Sequence, residues 1–178
     1  MAMKLIQHGQ RLALPALIVF AMTSCQIFEP KVIKSGDGRF QLTVPASWRE
    51  DPSLHERAGI RASNGRQELY VIVLSESKER FAENMTLEGF TTITRDNMLK
   101  KVGSPQATPP HLVTVSDAYP GMQYGMQGVV DNVPVAYLIT DVETPKDFHQ
   151  IITWTLRSRI DQNEAALRKV TNTFQANY

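Results

Sequence analysis

Three histidines lie beyond residue 24, at His55, His111 and His149, and none has a second histidine one helical turn away. Imidazole moves protons near neutrality, so its neighbours decide whether acid/base chemistry is within reach. His149 follows Asp147, and Asp141 and Glu143 lie across a short turn. If His149, Asp147 and Asp141 converged, they would make a proton-transfer or cation site. The simpler expectation puts His149 on the polar face of a strand, satisfied by threonines or covered by a loop. Asp141, Glu143 and Asp147 could offer oxygens to calcium, which takes about six to eight. Their spacing matches no calcium loop, so a solvated turn is expected. No Gly-x-Ser-x-Gly elbow, His-Glu-x-x-His pair or glycine-rich phosphate loop occurs. The expectation is a protein that is not an enzyme and needs neither metal nor cofactor. Met122, Tyr124 and Met126 share a parity. With Tyr119 and Trp154 they could line an apolar ligand pocket between a sheet and a helix, although such residues more often build a core.

The one thiol is Cys25, which closes the run LALPALIVFAMTSC from Leu12. Lys4 and Arg11 precede the run, and the first acidic residue is Glu29. A basic start, a short apolar middle and a small-residue exit are the pattern of an export signal. A membrane-spanning helix needs ~20 apolar residues, and this run is shorter. Met22-Thr23-Ser24-Cys25 resembles the lipobox of bacterial lipoproteins, with Met22 where leucine is usual. The resemblance implies a diacylglyceryl group on Cys25, cleavage before it, and a mature chain that begins there. Acyl chains contribute ~0.8 kcal/mol per buried methylene, so two or three hold a protein on a bilayer. In a Gram-negative host, Gln26 after the cysteine favours the periplasmic face of the outer membrane. The expected organisation is a signal peptide over 1–24, a lipidated tether over 25–38 and one domain over 39–178.

Removal of residues 1–24 takes away Lys4 and Arg11, leaving seventeen basic residues against eighteen acidic ones. A chain so nearly neutral has no field to attract nucleic acid and no polybasic block for anionic lipid. With no internal disulfide available, the hydrophobic core alone must hold the domain.

Periodicity supplies the elements. Phe40–Val44 alternates apolar and polar as a half-buried strand, Pro45 ends it, and Trp48 covers the corner. A short strand at 59–62 turns at Asn64-Gly65. Leu69–Leu74 is apolar on both parities and so buries both faces. Thr86 caps a helix running to Val102, and Gly103-Ser104-Pro105 stops it. A proline-rich loop follows over 105–110. A meander closes the sheet: strands at 112–115, 122–130, 133–142 and 148–157, with turns at Tyr119-Pro120-Gly121, Asp131-Asn132 and Thr144–Asp147. Asp161 and Glu164 have capping-box spacing ahead of a last helix, whose stripe is Leu167, Val170 and Phe174. Together these predict an α+β domain with a mostly antiparallel central sheet flanked by helices.

The opening Phe40-Gln41-Leu42-Thr43-Val44-Pro45-Ala46-Ser47-Trp48 resembles the Phe-x-Leu-x-Val-Pro-x-x-Trp start of the PsbP-like superfamily. The last strand, Ile151 to Leu156, and a helix ending in Phe174 are similar to that superfamily too. The likeness covers roughly residues 38 to 175, and DcrB-like bacterial lipoproteins join such a domain to a lipidated signal. It implies a central antiparallel sheet between helices and a role in binding other proteins. The matched positions are core and corner residues, and no site residue is carried over. The functional expectation is a membrane-anchored lipoprotein whose non-catalytic domain binds or steadies envelope proteins. A carrier of a small molecule or lipid is the alternative.

Overall fold

A computed structural model describes residues 29–177. Cys25 and the expected signal peptide lie outside the described residues. In chain order come β1 (Lys31–Lys34), β2 (Phe40–Val44), β3 (Arg49–Glu50), β4 (Ile60–Asn64) and β5 (Leu69–Ser77). Helix α1 (Leu87–Lys101) leads to β6 (Gly103–Ala107), β7 (His111–Val115), β8 (Tyr119–Val130), β9 (Val133–Glu143) and β10 (Asp147–Leu156). Helix α2 (Ile160–Thr171) and the short β11 (Gln175–Ala176) finish the chain. Eight strands form one antiparallel sheet in the order β3-β4-β5-β10-β9-β8-β6, with β7 beside β6 on β8. The order β1-β2-β11 makes a second, three-stranded antiparallel sheet.

The double-sided apolar character of β5 follows from this layering. On one face Val71, Val73, Leu138, Val142 and Ile151 pack against Leu42, Val44, Leu167, Val170 and Phe174 of the small sheet and α2. On the other, Ile72, Tyr124, Met126, Ile139 and Ile152 pack beneath α1 and Val102. The central sheet expected between helices therefore has α1 over one face, and α2 together with a second sheet over the other. Burying apolar area on both faces at ~25 cal/mol per Å² is what holds a domain without disulfides.

Thr86 caps α1 as expected, its Oγ1 accepting from the Gly89 N–H at 3.1 Å. Loss of this cap in Thr86→Ala is expected to cost ~1 kcal/mol in a denaturant melt, with Thr92→Ala, an exposed position in the helix, as the control. The two-residue turn at Asp131-Asn132 has φ of 48° and 66°, the left-handed pair that a tight hairpin demands.

Several expectations are corrected. Residues 31–34, placed in the tether, form a strand paired with β2, and Ser35–Arg39 closes that hairpin. Gly103–Ala107 is a strand rather than loop, because an irregular edge position tolerates Pro105, which lacks a donor. The turn placed at Tyr119–Gly121 lies at Ser116-Asp117, with φ of 54° and 55°, and Pro120 pairs with Thr114 inside the ladder. No capping box forms: α2 begins at Ile160 after a 3₁₀ turn, and Glu164 instead pairs with Arg168 at 2.6 Å.

Candidate functional site

Strand parity separates the residues expected to do chemistry. His149 points to the small sheet, fully buried, with the rings of Phe40 and Phe174 at 5.0 and 4.9 Å. Its Nε2 lies 3.4 Å from Thr144 Oγ1. Burial pushes its pKa down to about 4, the Asp147 charge acting in the opposite direction. So the expected threonine neighbour is present, but the strand face is core rather than polar surface. Asp147, also buried, receives Arg39 Nη1 at 3.1 Å on both carboxylate oxygens. Arg39 also donates to Asp37, whose carboxylate is held at about 2 by the Ser35 hydroxyl and then by Arg39. This cluster ties the β1–β2 hairpin to the start of β10.

Asp141 faces the opposite way, beneath α1, and does not meet His149 or Asp147. Its Oδ2 accepts from Thr94 Oγ1 at 3.0 Å. Burial pushes its carboxyl up to about 7, against the pull of Thr94, Thr91 and Gln150. Glu143 pairs with Lys78 at 2.6 Å. The three acidic residues thus serve three separate contacts and do not form one oxygen cage. His55 accepts the Arg57 N–H at 3.2 Å through Nδ1, and His111 is exposed on β7.

The five candidate lining residues do not share a pocket. Tyr119 faces the small sheet, its ring 5.8 Å from Phe174 and its hydroxyl accepting from the Ala176 N–H. Met122, Tyr124, Met126 and Trp154 face α1. Tyr124 and Met126 are fully buried core, and Met122 packs beside the Leu87–Phe90–Phe148 cluster. Trp154 stacks on Tyr70 at 5.2 Å. An odd separation puts Tyr119 across the sheet from the others, and packing has filled the space around Tyr124 and Met126.

The best-formed apolar opening lies elsewhere. A groove of about 510 Å³ runs between the corner after β2 and helix α2. Val44, Pro45, Ala46 and Trp48 form one wall, with Ala166 and Val170 opposite and Lys169, Thr173 and Pro30 among the other lining residues. Two contacts hold the walls at fixed spacing. Thr173 Oγ1 lies 2.9 Å from both Thr43 N and Thr43 O, accepting from one and donating to the other. The corner is closed by Trp48 N–H to Pro45 O at 2.9 Å, and Lys31 Nζ donates to Trp48 O at 3.3 Å. The larger opening of about 750 Å³ beside the β4–β5 turn is lined by charged and polar groups such as Arg49, Glu50, Asp51 and Arg66. That surface offers little to an apolar ligand. The groove residues were legible only as fold-defining corner positions, because nothing local shows that α2 returns to face them.

No protein-family model matches the sequence, and no curated protein does. Solved structures do match. The solution structure of cyanobacterial PsbP (CyanoP) from Synechocystis sp. PCC 6803 aligns over 89% of this chain and 99% of its own, with TM-score 0.59 and 12% identity. The chain has the PsbP-like fold. The same PsbP-like architecture relates it to LpqN, involved in cell envelope biogenesis of Mycobacterium tuberculosis, over 84% of this chain and 91% of that one (TM-score 0.61, 13% identity). The Saccharomyces cerevisiae Ran-binding protein Mog1p aligns over 84% and 96% respectively (TM-score 0.55, 11% identity). Within this PsbP-like domain, the Phe40–Trp48 opening builds β2, the corner and one wall of the groove.

Proposed function

We propose that the protein is a lipid-anchored, non-catalytic binding domain of the bacterial cell envelope, DcrB-like in arrangement, whose groove holds an apolar segment of an envelope protein. The observation that carries this reading is the groove itself: apolar walls, one cation at Lys169, and Pro30 at its edge. Only residues 26–30 separate Cys25 from β1. Fully extended, five residues span at most ~18 Å. A lipid on Cys25 therefore keeps the groove close to the bilayer surface, where membrane-protein segments emerge. That LpqN is involved in cell envelope biogenesis and Mog1p binds Ran fits a PsbP-like domain used for binding in an envelope setting. The burial of His149 and Asp147 fits it too, since no substrate reaches either group. The apolar lining also suits an acyl chain, which makes a lipid carrier the second reading.

The test places photoreactive benzoyl-phenylalanine at Ala46 or Ala166 of the full-length protein in intact cells. The expected product is an adduct with one envelope protein, lost when Ala166→Trp fills the groove. Adducts with lipid alone would transfer the assignment to the carrier reading. No adduct from folded, membrane-bound protein overturns both.

A further inference from the structure

The edges of the two sheets are not equally defended. An edge strand exposes unpaired N–H and C=O groups, and charge, proline, irregularity or shortness normally blocks further pairing. β3 is two residues long, both charged, and β11 also has only two. β1 carries Lys31 and Lys34. β6 contains Pro105 and a register irregularity between Gly103 and Gln106. β7 has none of these defences. Its sequence His-Leu-Val-Thr-Val has no proline and no formally charged side chain, and it pairs with β8 on one side only. His111, Leu112 and Thr114 are exposed, Leu112 at 73% of its surface. Among the described residues no backbone hydrogen bond reaches the other side of His111–Val115.

We propose that the outer edge of β7 pairs antiparallel with β7 of a second copy of this chain, giving a twofold dimer whose sheets are continuous. A strand pairs most simply with itself when no like charges meet, and antiparallel self-pairing closes both edges in one step. With Val113 on the axis, Leu112 lies opposite Thr114 of the second copy and His111 opposite Val115. Leu112 and Thr114 share a sheet face, so the exposed leucine is covered by a threonine methyl and lies diagonal to its own counterpart. The defended edges at β1, β3 and β6 stop growth at two copies. Five residues a side fall short of a standard interface of ~1,600 Å². The dimer is accordingly weak in dilute solution and fills where copies are concentrated.

The test places photoreactive benzoyl-phenylalanine at Thr114 of the full-length protein, co-expressed in intact cells as two differently tagged forms. The expected product joins the two tags, with the crosslinked peptide mapping to residues 111–115 of the other copy. Leu112→Lys puts a charge on the edge and is expected to reduce that product at least tenfold. Val133→Lys, at an exposed position on the β8–β9 hairpin, is expected to leave it unchanged. Circular dichroism of each variant confirms the fold. Adducts confined to a different protein or to lipid, no adduct joining the tags, or a product indifferent to Leu112→Lys overturns the proposal.

Discussion

Asp141→Asn is expected to raise the melting temperature at pH 8 by about 8–16 °C and to leave it almost unchanged at pH 3.5. The sign follows from where the proton sits. Buried beneath α1, Asp141 keeps its proton until about 7, whereas the unfolded chain releases it near 3.8. Between those values the native state binds more protons, so its stability falls as pH rises. Over the roughly three units between those values, at ~1.4 kcal/mol per pKa unit, the effect is on the order of 4 kcal/mol, reached above pH 7. Asparagine has no charge to desolvate and removes that slope. Arg95 of α1 reaches the same region, acting on Tyr124 against the burial that raises its hydroxyl. His149 works in the opposite direction. Its folded value is near 4 against 6.5 when unfolded, so the unfolded state binds more protons in that interval, and stability falls as pH drops through it. The two groups sit on opposite faces of the sheet, and their slopes offset one another between about pH 4 and 6.5. Wild type is expected to be nearly level there with respect to this pair. Asp141→Asn then exposes an acid-sensitive slope, and His149→Leu a base-sensitive one. Thermal melts from pH 3.5 to 8 on the three proteins check this. Parallel curves would refute the assignment of both groups.

The second large effect is expected at Phe148. This ring is fully buried, stacks on Phe90 at 4.8 Å, meets Phe81 edge-on at 5.9 Å and lies 5.0 Å from Lys78 Nζ. With Leu87 it forms the small core that fastens the first turns of α1 to the sheet. Phe148→Ala removes the middle of that stack and is expected to cost ~3–5 kcal/mol. Glycine at position 89 and three threonines give α1 little intrinsic preference for helix. The loss should therefore appear as hydrogen exchange over Leu87–Thr94 well before global unfolding. Ile93→Ser, at a position 44% exposed on the same helix, is expected to change stability by less than ~0.5 kcal/mol. Equal protection of α1 in Phe148→Ala and wild type would show that the helix is held from its other end.

Elements whose cause lies within a few residues were legible in the chain. The β2 alternation, the Thr86 cap, the Asp131-Asn132 turn and the parity of β10 all appear where they were expected. One turn and one helix cap were misplaced for a local reason. Proline and glycine at 120 and 121 attract a turn, yet Ser116 and Asp117 adopt left-handed φ because the β7–β8 ladder needs its bend there. Asp161 and Glu164 have capping spacing, but Arg157–Arg159 starts the chain turning earlier, and Glu164 pairs with Arg168.

By itself the sequence determined the α+β class, the residues that alternate on each strand and the PsbP-like opening. Tertiary structure decided everything that depends on residues far apart in the chain. It placed His149 between Phe40 and Phe174, set Arg39 on Asp147 across 108 positions, and brought α2 opposite the Trp48 corner to make a groove. It also buried Asp141 under a helix whose threonines lie 47 or more positions earlier. Periodicity tells which side chains share a face, because bond geometry repeats every two or 3.6 residues. Which other element covers that face, and so which carboxylate loses its water, is set only when the layers close.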